Sequence, residues 1–124
     1  MPRQQLVGLL EQWKKRLEMT DWEIDLYIVD FKRDNNYRQS GDFEAVPERK
    51  TASILMTWDP WRGDEEYTLV HELLHVLAFD YDSHCEALLL QTHASDSDEY
   101  GMYMENLESL LHHLTRVLVG RTDR

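Results

Sequence analysis

Two histidines stand four residues apart in Thr68-Leu69-Val70-His71-Glu72-Leu73-Leu74-His75-Val76-Leu77, with a glutamate directly after the first. On an α-helix, positions i and i+4 lie one above the other on the same face. His71 and His75 can therefore aim two imidazoles at one point, the bite that a tetrahedral Zn²⁺ needs from two of its ligands. Glu72 sits about 100° further round the same turn. From there its carboxylate can reach a water on the metal without ligating it, and can act as general base on that water.

With 6 His and 12 Glu among 124 residues, a chance match to this five-residue pattern arises in about 3% of such chains. The flanks add weight. Leu69, Val70, Leu73, Leu74, Val76, Leu77, Ala78 and Phe79 surround the two histidines almost completely. A helix that apolar is expected to be buried, and buried imidazoles need partners. A metal would supply one for each. The competing reading is a core helix whose histidines bond to carbonyls or carboxylates.

A catalytic zinc usually has three protein ligands and a water. The extended pattern H-E-x-x-H-x-x-G-x-x-H would need a glycine where Ala78 stands and a histidine where Tyr81 stands, so that class is excluded. His84, nine residues past His75, would serve if the chain folded back after the helix. His93 and the pair His112-His113 read as exposed side chains. A glutamate on the final helix would complete a His₂Glu site. Glu108 stands one turn from both Met104 and Leu111, at the border of an apolar stripe. Glu105 falls on the more polar side, and Glu99 in the first turn, where acid suits the helix dipole. Glu108 is the favoured third ligand, with Glu105 and His84 left open.

These residues need a scaffold. Residues 3–18 form an amphipathic helix, with Leu6, Leu9 or Leu10, Trp13 and Leu17 at helical spacing. Trp22-Glu23-Ile24-Asp25-Leu26-Tyr27-Ile28-Val29 starts with the period of a half-buried strand. Residues 32–42 are polar, with turn signals at Asp34-Asn35-Asn36 and Ser40-Gly41. A second strand is expected over 42–46, ended by Pro47, and a third over 51–57. Residues 58–64 read as a loop. Asp64, Glu65 and Glu66 put acid at the start of the motif helix, which is expected to end near Phe79 or Asp80. A short helix over 86–91, a polar loop over 94–99 and a strong final helix over 99–119 follow. The last carries Met104, Leu107, Leu111, Leu114 and Leu118 as its stripe, widened by Leu110 and Val117, and Gly120 as its stop. The order is α-β-β-β-α-(α)-α, a single α+β domain over 1–124.

The bulk numbers agree with a globular domain: 42% hydrophobic and 30% charged residues. No apolar run reaches the roughly 20 residues that span a bilayer, and the N-terminus lacks the pattern of a signal peptide. The single Cys85 cannot form an internal disulfide, so a reducing, cytoplasmic location is the expectation. A net charge of −11 argues against nonspecific nucleic-acid binding and against anionic membranes. Lys14-Lys15-Arg16 is read as a helix C-terminal cluster that favours the dipole.

In these features the chain resembles the small zincin-like metallopeptidases encoded by phages and prophages. The features are Asp21-Trp22-Glu23-Ile24 opening a strand, the strand Ala52-Ser53-Ile54-Leu55-Met56, the motif helix, and a final helix with Glu108-Ser109-Leu110-Leu111-His112-His113-Leu114-Thr115. The resemblance implies a minimal zincin fold, in which a helix packed on a small sheet carries the zinc site. It also favours Glu108 as third ligand and, for a phage protein, work in the host cytoplasm.

The leading expectation is a zinc-dependent peptidase acting on a peptide or protein. His71, His75 and Glu108 would hold the metal and Glu72 would move the proton. Tyr81, Tyr100 and Tyr103 are candidate oxyanion donors. By analogy with zincins, the strand at 51–57 would be the edge that aligns the substrate. The alternative is a non-catalytic acidic module that binds a protein partner and keeps zinc as a structural staple, for instance with His84 joining Glu108.

Overall fold

A computed structural model of the chain describes residues 2–29, 41–57 and 64–120. Their order is α1 (Arg3–Arg16), β1 (Glu23–Ile28), β2 (Gly41–Val46), a 3₁₀ turn (Pro47–Arg49), β3 (Thr51–Met56), α2 (Glu65–Leu90) and α3 (Asp98–Val119). The fold is α+β: three helices and one small mixed sheet. The expected polar stretch 32–40 and the loop at 58–63 lie outside the described residues. No helix among the described residues is long and apolar enough to cross a membrane.

The sheet follows from the alternation in the sequence. In β1, Ile24, Leu26 and Ile28 turn inward while Glu23, Asp25 and Tyr27 turn outward. In β3, Ala52, Ile54 and Met56 are buried. The strand order is β1-β3-β2. β3 pairs parallel with β1, Leu26 opposite Ile54, and antiparallel with β2, Phe43 opposite Ile54. β3 is therefore central and has no free edge. This corrects the expectation that 51–57 is the substrate-aligning edge. Pairing with both β1 and β2 makes it central; β2, with half-buried Phe43 and Ala45, is an outer strand.

One core joins sheet and helices. Leu6, Leu10 and Trp13 of α1, Leu26, Ile54 and Met56 of the sheet, Leu69, Val70, Leu73 and Val76 of α2, and Leu111 of α3 are all buried in it. Trp13 also donates its indole N–H to Glu66 Oε2 at 2.8 Å, tying α1 to the first turn of α2. Lys14, Lys15 and Arg16 do occupy the last turn of α1.

Two helices depart from expectation. α2 does not end near Phe79; it runs on to Leu90 and absorbs the separate short helix expected at 86–91. Residues 80–90 contain neither Gly nor Pro, so nothing local stops the helix. The expected stripe of α3 is also only partly inside. Leu111 and Thr115 are buried, while Leu110, Leu114, Val117 and Leu118 are exposed. Nor is α2 closed all round, since Leu77 is exposed. α3 ends as expected at Gly120, whose φ of 79° is the left-handed cap that glycine adopts without steric cost.

Candidate metal centre

α2 starts where acid is favoured. The Asp64 side chain accepts the Tyr67 backbone N–H at 3.2 Å, and Glu65 and Glu66 occupy the first turn. Two turns later the helix presents His71 and His75, whose rings meet edge to face with centroids 4.8 Å apart. Both are almost enclosed, at 10% and 11% side-chain exposure, and both face α3.

There they meet Glu108. Its Oε2 lies 3.2 Å from His71 Nε2 and its Oε1 lies 2.6 Å from His75 Nε2. The carboxylate favoured on sequence grounds thus stands between the two motif histidines. Glu105 and Glu99 are exposed on α3. His84 is exposed as well. Because α2 continues, His84 sits roughly 13 Å along the axis from His75 and on the opposite face of the helix. It cannot fold back to join the site.

One residue was passed over in the sequence. His112, expected to be a solvent-exposed side chain, turns its Nε2 to within 3.6 Å of Glu108 Oε2. Its ring stacks on that of His71 at 4.2 Å, and its Nδ1 lies 2.8 Å from the Tyr67 phenol oxygen. Donor atoms of His71, Glu108 and His112 all lie within 4.8 Å of one another. The signal for His112 was its position four residues after Glu108, hence on the same face of α3.

Strand β2 closes the side of the site near His75 and Glu72. Phe43 stacks on His75 with centroids 5.0 Å apart. At Gly41 an added Cβ would lie 2.8 Å from Thr68 Cγ2 and 3.0 Å from Glu72 Oε2. Gly41 is thus a point of close approach between strand and helix, where sequence alone marked a turn.

The electrostatics describe a site rich in negative charge. Burial pushes the Glu72 carboxyl up to about 8; the His75 charge works against this, and the Asp42 and Glu108 charges reinforce it. For Glu108, partial burial acts upward, but hydrogen bonds from His71 and His75 outweigh it and hold the carboxyl well below the usual range. For His75, burial acts downward and is outweighed by the Glu108 hydrogen bond and by the Glu72, Glu108 and Asp82 charges, so the ring is raised. His71 Nδ1 is buried without a hydrogen-bond partner among the described residues.

His71, Glu108 and His112 form a group that could hold a metal ion, whereas His75 lies outside that group and bonds the other Glu108 oxygen at 2.6 Å. Imidazoles and a carboxylate are nitrogen and oxygen ligands of the kind zinc takes. A tetrahedral ion about 2.0–2.1 Å from its donors holds neighbouring donors about 3.3–3.4 Å apart. The separations of 3.2 and 3.6 Å around Glu108 Oε2 bracket that value. None of the three tyrosines expected as oxyanion donors reaches this group. Tyr100 donates to Glu86 Oε1, Tyr103 donates to Asp82 Oδ1, and Tyr81 is 72% exposed.

No family model, curated protein or solved structure matches the chain.

Proposed function

We propose that the chain is a zinc-dependent hydrolase of peptide bonds, with His71, His75 and Glu108 as metal ligands and Glu72 as general base. The observation that carries this reading is the Glu108 carboxylate lying 3.2 Å from one motif histidine and 2.6 Å from the other. A metal held there would supply Lewis acidity toward a water and a scissile carbonyl. Glu72 would accept the water's proton and return it to the leaving amine. Its raised pKa of about 8 suits a group that must both take and release a proton, and a nearby cation would draw it down toward neutrality. Glu108 and His112 are the open side of the site, at 40% and 34% side-chain exposure. The outer strand β2 supports a peptide substrate: no described strand pairs with its second edge, and its Phe43 stacks on His75. A peptide added to that edge would pass beside the metal ligands.

The second reading, a non-catalytic acidic protein-binding module with a structural zinc, is favoured by one observation, the nearness of His112 as a fourth donor.

Glu72→Gln separates the two. In a hydrolase the variant keeps its zinc and its melting temperature, because the amide replaces a carboxyl that is already neutral without metal near pH 7. Cleavage of a diverse peptide library then falls by about 10²–10⁴-fold. Retained zinc with unchanged cleavage would remove Glu72 from the mechanism, and a library left intact by the wild type counts for the binding module.

A further inference from the structure

We infer that His112 is a further protein ligand of this metal site and that Tyr67 orients it for that role, an inference that rests on the reading of the site as a metal centre.

The first argument is distance. His112 Nε2 lies 3.6 Å from Glu108 Oε2. That is too far for a hydrogen bond but close to the spacing of two donors that share one ion. His71 Nε2 approaches the same oxygen at 3.2 Å. Glu108 Oε2 is thus the common neighbour of two imidazole nitrogens, while Oε1 is engaged by His75.

The second argument is orientation. The His112 ring stacks on His71 at 4.2 Å and 16°, and Tyr67 stands beside both rings, 5.9 Å from His112 and 6.4 Å from His71. The Tyr67 phenol oxygen contacts Nδ1 at 2.8 Å. In the ring form that a metal needs, with the lone pair on the Nε2 that faces Glu108, this oxygen accepts from Nδ1–H. Metal-bound histidines are usually fixed in this way, by an oxygen that takes the other ring N–H. Tyr67 is itself 2% exposed, so the phenol is a rigid support, set in the first turn of α2 by the Asp64 cap.

The consequence concerns access. Three imidazoles and one carboxylate fill four positions and leave no place for water in a tetrahedral site. His112 is the most exposed of the three histidines, at 34% against 10% and 11%. It is therefore the donor best able to leave and admit a water or a substrate oxygen.

The test uses the full chain, with zinc affinity measured by chelator competition and coordination read from the visible absorption of the cobalt-loaded protein. His112→Ala and His112→Gln should each weaken zinc by more than the roughly 10–100-fold typical of a supporting residue, and should alter the cobalt bands. Tyr67→Phe should weaken zinc by about 10–100-fold and leave the band pattern in place. His113→Ala, whose exposed ring bonds Arg116 instead, should match the wild type. Metal-free melting temperatures close to the wild type's show that the variants fold. Wild-type affinity and unaltered cobalt bands in both His112 variants would overturn the inference while leaving the metal centre intact. A wild type that takes up no metal would overturn both.

Discussion

α2 and α3 enclose two polar clusters, built from different chemistry. Toward the start of α2, three imidazoles crowd one carboxylate: His71, His75 and His112 around Glu108. Two turns further on, two carboxyls meet two phenols. Tyr103 donates to Asp82 at 2.8 Å and Tyr100 donates to Glu86 at 2.5 Å. In the second cluster each phenol O–H has a carboxyl acceptor, and burial together with the neighbouring Asp82 raises the Glu86 carboxyl. In the first, His71 and His75 bond the Glu108 carboxylate through Nε2, and His112 brings its Nε2 to 3.6 Å from the same carboxylate. Nitrogen and oxygen donors thus converge on one small region. Two clusters on one helix pair thus differ in chemistry, phenols on carboxyls in one and converging nitrogen and oxygen donors in the other, and the second pattern supports the metal site proposed above.

The largest expected effect tests that division directly. Glu108→Ala should lower zinc affinity well beyond the roughly 100-fold upper range for supporting residues. Asp82→Asn should leave zinc affinity within a few-fold of the wild type, although Asp82 is buried and on the same helix as His71. Chelator competition on both variants decides the matter. Equal losses would mean that the two clusters act as one site.

The next effect is a change of sign with pH. Without metal, Glu72 is raised from 4.5 to about 8. The folded state then holds a proton that the unfolded chain releases, so this group's contribution falls as pH rises from about 4.5 to 8. His75 is raised above 6.5, so its contribution is full below that value and is lost as pH climbs through its folded pKa. Glu108 is lowered, so its contribution is present above about 4.5 and lost on acidification. The metal-free melting temperature should therefore peak between about pH 4.5 and 6.5 and drop by at least about 5 °C by pH 8.5. With zinc in excess the histidines must be neutral to bind, so the stabilisation by zinc should grow from pH 6 to 8. Calorimetry with and without chelator gives both curves. Parallel curves would remove the metal from the account.

Much of this was written in residue spacing, and the exceptions have physical causes. The i, i+4 pair His71 and His75 and the stripe-border position of Glu108 are properties of single helices, and single-helix geometry follows from sequence. The alternation in β1 and β3 is local in the same sense. Strand order is not local: β3 has the same pattern at the centre of the sheet as at its edge, and only pairing with both β1 and β2 decides it. The continuation of α2 past Asp80 depends on partners from α3, since Asp82 and Glu86 gain their donors from Tyr103 and Tyr100. His112 was hidden for a related reason. A lone histidine on the last helix reads as solvated until a second helix brings Tyr67 and His71 against it.

The smallest expected effect concerns the phenol–carboxyl cluster. Tyr103→Phe removes the O–H that reaches Asp82 and leaves that oxygen to find water. Asp82 is 7% exposed, so the loss is felt, but α2 and α3 keep their apolar contacts around Leu111. The cost should be about 0.5–1.5 kcal/mol in urea unfolding, the ordinary net worth of one hydrogen bond. Two features make this more than a routine loss. Zinc affinity should not change, because the Tyr103 hydroxyl bonds Asp82 and belongs to the other cluster. The missing stability should also be local, with faster hydrogen exchange in residues 82–90 of α2 than in residues 67–76. Faster exchange across both stretches alike would mean that the polar joint supports the metal site, and the separation of the two clusters would fail.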